Sequence, residues 1–398
     1  MLDIARIRAE TPGTEHVIHF NNAGASLMPA SVCHIMQTYL ADESKFGGYE
    51  MEDKYACDYD KVYQLLAQLI NCKSKEIAIT DSATTAWDRA FYALPFRKGD
   101  KILTSITEYA SNYIAYLQMM KRIGVSIEVI PNDRNGQICV EALEKMIDEN
   151  VKLISVSHIP TNGGLVNPVE AIGTIARKYN VWYLIDACQS IGQVPIDVQQ
   201  IGCDMLSASG RKFLRGPRGT GFLFMSEKML KFLEPFCLDL HSAEWKSQNE
   251  YEFRKDARMF EISECNIAAK LGLTYAVQNT LDLGIEHIWQ RIQQLGELFR
   301  KKLSMIDCVL VQDLGQIKCG IVTFTVEIDG MDMVKLCKQL RERKINTSVA
   351  VRHHTLIDMT ARNLNHMIRA SIHYFNTEEE IDTFCRILQD LIHTSVFM

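Results

Sequence analysis

The amino-acid sequence predicts an α/β protein: a mainly parallel seven-stranded sheet with helices on both faces, followed by a smaller α+β unit. Three observations carry this. Seven short apolar runs lie between residues 76 and 225. Most are separated by stretches with apolar residues at three- and four-residue spacing, and such strand–helix alternation implies parallel strands beneath crossover helices. The pattern then changes in the last third of the chain, where strand-like runs and helical runs no longer alternate so regularly.

The strands are read at EIAIT (76–80), KILTS (101–105), SIEVI (126–130), KLISVS (152–157), VWYLID (181–186), DMLSAS (204–209) and TGFLFM (220–225). Between them lie the helical patterns ATTAWDRAFYAL (83–94), SNYIAYLQMMKRIG (111–124), VEALEKMIDE (140–149) and VEAIGTIARKY (169–179). A long helical pattern at about 285–305 leads to CVLVQ (308–312) and GIVTFTV (320–326). A helix near 331–342, a strand-like INTSVAV (345–351), then MIRASIHYF (367–375) and a closing helix follow. In TEEE (377–380), Thr377 and Glu380 form a capping box. A helix opens at Pro29. The expected division is an N-terminal segment 1–30, a large domain 31–285 and a small domain 286–398.

Composition narrows the function. Of the 398 residues, 47% are hydrophobic and 23% charged, an ordinary globular balance. The net charge of −6 argues against a general nucleic-acid binder. The 12 cysteines contain no C-x-x-C pair, which points to reduced core thiols rather than a disulfide framework or a metal site. No segment has the length and apolarity of a signal peptide or a bilayer span, so a soluble, cytoplasmic protein is expected.

Three polar clusters fall where strands end, and in open α/β sheets ligands bind beyond the carboxyl ends of the strands. DSATTAWDRA (81–90) reads either as a helix N-terminus that receives an anion or as an ordinary N-cap. LIDACQS (184–190) ends an apolar strand with Asp186, a carboxylate that needs a partner unless it serves as a helix cap. SASGRKFLRGPRGTGF (207–222) sets Lys212 among arginines and glycines. A solvated basic loop or a nucleic-acid patch does not explain its apolar flanks. A lysine at a sheet end is partly desolvated, its neutral amine is favoured, and Schiff-base chemistry becomes available. Together the clusters fit pyridoxal 5′-phosphate (PLP), which needs a lysine, an acid for its ring nitrogen and a phosphate cradle.

From HFNNAGASLMP (19–29) to RASIHYFNTEEEID (369–382), the chain resembles the class V aminotransferase family of fold type I PLP-dependent enzymes. That group includes cysteine desulfurases, isopenicillin N epimerases and hercynylcysteine sulfoxide lyases. The spacing from Asp186 to Lys212 matches it too. The resemblance implies that Lys212 carries PLP and acts as catalytic base, and that Asp186 holds the pyridine nitrogen. It implies a phosphate turn at Ala83 and Thr84, with Ser209 and Arg211 reaching the phosphate; many relatives have His where Arg211 stands. Gln189, with Thr161 or Asn162, would sit near the ring oxygen. Arg369 would grip the substrate α-carboxylate, with Asn22 and Asn112 also lining the substrate side. A homodimer is implied, in which Ser263 and Glu264 reach the partner's cofactor phosphate.

Departures bear on the reaction. No cysteine lies between Cys337 and Cys385, where desulfurases of the group carry a catalytic one, so a persulfide mechanism is not expected. TEYASNY (107–113) lacks the ring-stacking His of many relatives, and Tyr109 is the nearest aromatic. RHHT (352–355) is read as strand, shaping the side-chain pocket; adjacent histidines there would point opposite ways, so no metal site is expected. The wording of GRKFLRGPRGTGFL and TNGGLVNP is closest to the sulfoxide-lyase and epimerase branch. The expected activity is C–S bond cleavage by β-elimination on a cysteine-derived amino acid. Transamination, epimerisation at Cα, other PLP-dependent carbon–carbon chemistry and a non-catalytic sensor or scaffold are the alternatives.

Overall fold

The computed structural model describes residues 2–396. Its main sheet has seven strands: β1 Ile77–Thr80, β2 Lys101–Ser105, β3 Ser126–Ile130, β4 Val151–Ser157, β5 Trp182–Asp186, β6 Met205–Ser209 and β7 Gly221–Met225. Their spatial order is β1-β7-β6-β5-β4-β2-β3. All pairings are parallel except those of β7, which runs against both neighbours. β6 and β7 are buried along their whole length, as strands covered on both faces must be. One hydrophobic cluster, around Leu66, Ile154, Ile185 and Leu206, fills one face. Another, around Trp87, Phe91, Tyr116 and Leu184, fills the other.

Register brings the strand ends into line. Asp186 pairs with Ser157 of β4 and Ser207 of β6. Because β7 is reversed, its amino end joins this row: Gly221 pairs with Ser209 of β6 and with Thr80 of β1. One edge of the sheet therefore gathers every polar cluster picked out in the sequence.

Two long helices escaped the sequence reading. Gly48–Ile70 opens without a side-chain cap and alternates charged residues with aromatics. Ile267–Leu283 is buried on most sides, so it has no polar face to give a 3.6-residue rhythm. With Ala30–Phe46 they pack as a three-helix layer. Pro29 sits at the N-cap of Ala30–Phe46 rather than at its first helical position.

A second, antiparallel sheet follows: β8 Val309–Val311, β9 Ile321–Val326, β10 Ser348–Val351 and β11 His366–Ser371, in the order β8-β9-β11-β10. Helices Ile285–Leu303, Met333–Glu342 and Glu378–Val396 supply its core, which also takes in Phe20 from the N-terminal segment. The capping box forms as read, Thr377 N donating to Glu380 and Glu380 N to Thr377 Oγ1. Two strand readings are corrected. The INTSVAV run breaks at Thr347: Ile345–Asn346 leaves the sheet to pair, parallel, with Ile18–His19. RHHT is not strand: Arg352–His354 forms a 3-10 turn, which puts the two histidine rings 4.6 Å apart rather than on opposite faces.

Candidate active site

The aligned strand ends enclose a cavity of about 300 Å³. β6 ends at Ser209 and the chain turns through Gly210 into Arg211 and Lys212. Gly210 N donates to Thr220 O, and Gly216 N returns to Gly210 O, so the loop closes on itself. Arg215 clamps it from behind. Its buried guanidinium donates to Leu27 O, Tyr374 Oη and Thr11 Oγ1, which ties the loop to the N-terminal segment and to the end of the second sheet. Lys212 is half-buried within the cavity wall. Desolvation lowers its pKa, and the neighbouring Arg211 cation pushes the same way. Its amine is thus biased toward the neutral, nucleophilic form.

Asp186 lies at the end of β5 and is buried. Its carboxylate accepts Cys188 N at 2.9 Å through one oxygen and Asn112 Nδ2 at 3.1 Å through the other. Asn112 also donates to Glu108 Oε1 at 2.9 Å. Glu108 is buried directly behind, and desolvation together with the Asp186 charge raises its pKa to about 7.

At the opposite wall, Ser82 caps the helix Ala83–Tyr92 by accepting Thr85 N. The free backbone N–H groups of the first turn, at Ala83 and Thr84, open on the cavity. Ser209 Oγ and Gln189 Oε1 are buried at the cavity and have no partner in the protein. A buried polar atom left so is costly unless a ligand completes it. Among the described residues, Lys212, Arg211, Arg218 and Arg369 line the cavity without an ion-pair partner. A phosphate at the helix start, an acid-facing ring nitrogen and a carbonyl at Lys212 would answer these groups, so the residues present fit PLP.

The second sheet contributes Arg369, on β11. It is buried and donates from Nε to Ser348 Oγ and from Nη1 to the carbonyl and hydroxyl of Thr161. Burial, aided by Arg211, lowers its pKa to about 10. Thr161 Oγ1 also lies 3.4 Å from Gln189 Nε2, so it links the two. Tyr109, at the start of helix Ala110–Arg122, and His354, on the 3-10 turn, face each other with ring centroids 6.4 Å apart.

Ten residues singled out in the sequence line this one cavity: Ala83, Thr84, Tyr109, Thr161, Asp186, Gln189, Ser209, Arg211, Lys212 and Arg369. The other five lie elsewhere. Asn112 stands behind Asp186. Asn22 is buried and donates to His19 O and Ser371 O, tying the N-terminal segment to β11. Asn162 points away and donates to Val351 O and Thr355 Oγ1. Ser263 and Glu264 are exposed beside a second cavity of about 760 Å³, which shares Asp81, Gly219 and Thr220 with the first. Glu108, Ser157 and Cys188 were not anticipated. The argument that drew attention to Asp186, a carboxylate just past a buried strand, applied equally to Glu108 after KILTS.

Comparison with known proteins agrees with this geometry. The family model for Aminotransferase class-V matches residues 18–384. A probable cysteine desulfurase of Methanothermobacter thermautotrophicus is 30% identical, with 97% of each chain covered. The apo structure of a cysteine desulfurase from Thermococcus onnurineus NA1 superposes with a TM-score of 0.92 at 25% identity, covering 99% of both chains. The cystine C-S lyase C-DES, in complex with its reaction product cysteine persulfide, shares the fold with a TM-score of 0.86 at 24% identity, covering 96% of this chain and 99% of its own. With its seven-stranded sheet, its lysine-bearing loop and a match over nearly its whole length, the chain belongs to the class V aminotransferase family of fold type I PLP-dependent enzymes.

Proposed function

We propose that the protein is a PLP-dependent lyase that cleaves the C–S bond of a cysteine-derived amino acid by β-elimination. The observation that carries this is the loop facing Lys212 from the second sheet. It presents His354 to the cavity and holds no cysteine from Arg352 to Asn365, so a sulfur acceptor is missing where a desulfurase needs one. Cys188 does line the cavity, but desolvation raises its thiol pKa, which makes it a poor nucleophile at neutral pH.

In this reading Lys212 holds the cofactor, Asp186 its ring nitrogen and Gln189 its ring hydroxyl. The Ala83–Thr84 turn, Ser209 and Arg211 receive its phosphate. Bound PLP supplies a sink for the electron pair released at Cα. Arg369 grips the substrate carboxylate, and Thr161 fixes that guanidinium. Once the substrate amine has displaced it from the cofactor, the freed Lys212 amine would take the Cα proton. The electron pair becomes the Cα–Cβ double bond as the Cβ–S bond breaks, and the sulfur leaves with a proton. Tyr109 and His354 close the sides of the cavity and exclude water.

The test is a product analysis with cystine and cysteine S-conjugates. The lyase reading predicts pyruvate and ammonia in equal amounts. Alanine with protein-bound sulfane sulfur would assign the chain to desulfuration instead, and a keto acid retaining its sulfur to transamination. We also propose the division 1–30, 31–285 and 286–398, and a homodimer in which Ser263 and Glu264 approach the partner's site.

A further inference from the structure

We propose that Glu108 is a positioning residue: a second buried carboxylate that fixes Asp186 through Asn112 and supplies part of the negative field in front of the cofactor's ring nitrogen. The inference rests on the reading of Asp186 as the partner of that nitrogen.

The geometry is specific. Glu108 accepts from Thr104 Oγ1, Tyr109 N, Asn112 Nδ2, Ser157 N and Ser157 Oγ, at 2.7–3.2 Å. Five donors around one carboxylate favour its charged, acceptor-only form. Asn112 has one amide group with two N–H bonds, and it donates to Glu108 and to Asp186. That bridge sets the distance and orientation of the two acids together. Ser157 is also the lateral neighbour of Asp186 in the sheet, so both ends of the arrangement hang on one register. The elements packed around Glu108 bring Asp186 from β5 and the phenol of Tyr116 from helix Ala110–Arg122, while Tyr109 meets it only through its backbone N–H. No lysine, arginine or histidine donates to it among the described residues. The cation that interacts with Asp186 is Lys212, which the cofactor would take up, so the two buried acids are balanced in the loaded site only when a positive group faces Asp186. Burial and like charge push Glu108 up toward neutrality. A protonated ring nitrogen would oppose that push and keep both acids charged.

The structural alternative is that Glu108 only ties β2, β4 and the following helix together. The holoenzyme separates the two. The visible band of the Lys212-bound cofactor titrates with pH, and its midpoint senses nearby charge. Glu108→Gln keeps the shape and removes the charge, whereas Glu108→Asp keeps the charge and shortens the side chain. The proposal predicts that the midpoint falls in Glu108→Gln, by a few tenths of a pH unit or more, and stays near the parent value in Glu108→Asp. Asp186→Ala should lower it further. A merely structural residue would give the reverse order, with Glu108→Asp the more disturbed and Glu108→Gln unshifted, and that result overturns the proposal. If Asp186→Ala itself leaves the midpoint unmoved, the reading of Asp186 fails first. Should Glu108→Gln not fold, Glu108→Asp still decides: a midpoint displaced as far as that of Asp186→Ala would contradict the inference.

Discussion

Arg369 and Asp186 illustrate how much individual side chains are asked to do. Arg369 lines the cavity with its Nε and Nη1 already engaged, and in the proposed reading Nη2 would meet the substrate. A charge-assisted hydrogen bond contributes roughly 1.5–3 kcal/mol. Arg369→Ala should therefore keep the cofactor's visible band but weaken apparent substrate affinity about 10- to 100-fold. Unchanged kinetics would move carboxylate recognition to another group. For Asp186 the competing role is that of a turn acceptor for Cys188 N, whose loss costs about 1 kcal/mol of stability and little chemistry. Asp186→Ala is expected to slow exchange of the substrate Cα proton far more than it lowers the melting temperature. Exchange at the parent rate would make the residue structural. Glu108 gives a pH prediction with a definite sign. Its folded pKa, about 7, lies above its ordinary value of 4.5. An acid held more tightly protonated in the fold stabilises below pH 4.5 and loses that contribution as the pH rises to about 7. Across that window the cofactor-free parent should lose stability relative to Glu108→Gln, on the order of 3 kcal/mol. Parallel melts at pH 4.5 and 7.5 read the difference, and parallel curves would place Glu108 in a better-solvated site.

At the level of elements, the turn proposed to receive the phosphate depends on a glycine in the reversed strand. Gly221 opens β7 beneath the Ser82–Ala83 turn, and a Cβ there would lie 2.5 Å from the carbonyl carbon of Ser82 and 2.8 Å from Ala83 N. Neither backbone atom can yield without moving the helix start. Gly221→Ala should accordingly weaken cofactor binding about tenfold or more while Lys212 remains in place, and equilibrium titration of the apo protein with PLP measures it. An unchanged affinity would detach the phosphate from this turn. The same elements show what a sequence can and cannot disclose. Strands buried on both faces and helices with one apolar face announce themselves by period, so β1 to β7 were legible to within a residue or two. Ile267–Leu283 was not, because a helix buried on most sides has no period to detect. RHHT was misread because β10 ends at Val351 and Thr355 N closes on Arg352 O, which winds the run into a 3-10 turn. The candidate site was legible in its polar residues at strand ends. Asn22 and Asn162 could not be placed that way, since their partners lie 349 and 193 residues away in sequence.

The whole molecule brings Lys212, Asp186 and Arg369 to one cavity only because the second sheet docks on the carboxyl edge of the first. The larger cavity beside it, rimmed by Ile262, Ser263 and Glu264, is where the proposed homodimer would bring the partner subunit. Sedimentation at micromolar concentration should find a dimer. A fully active monomer would contradict the shared interface. The claim on which everything else stands is that Lys212 carries PLP. Borohydride reduction of the yellow protein, followed by peptide mapping, tests it most directly. The account predicts one phosphopyridoxyl group per chain, on the peptide containing Lys212, and no label in Lys212→Ala. Label on another lysine, or a protein that takes up no PLP, would contradict it.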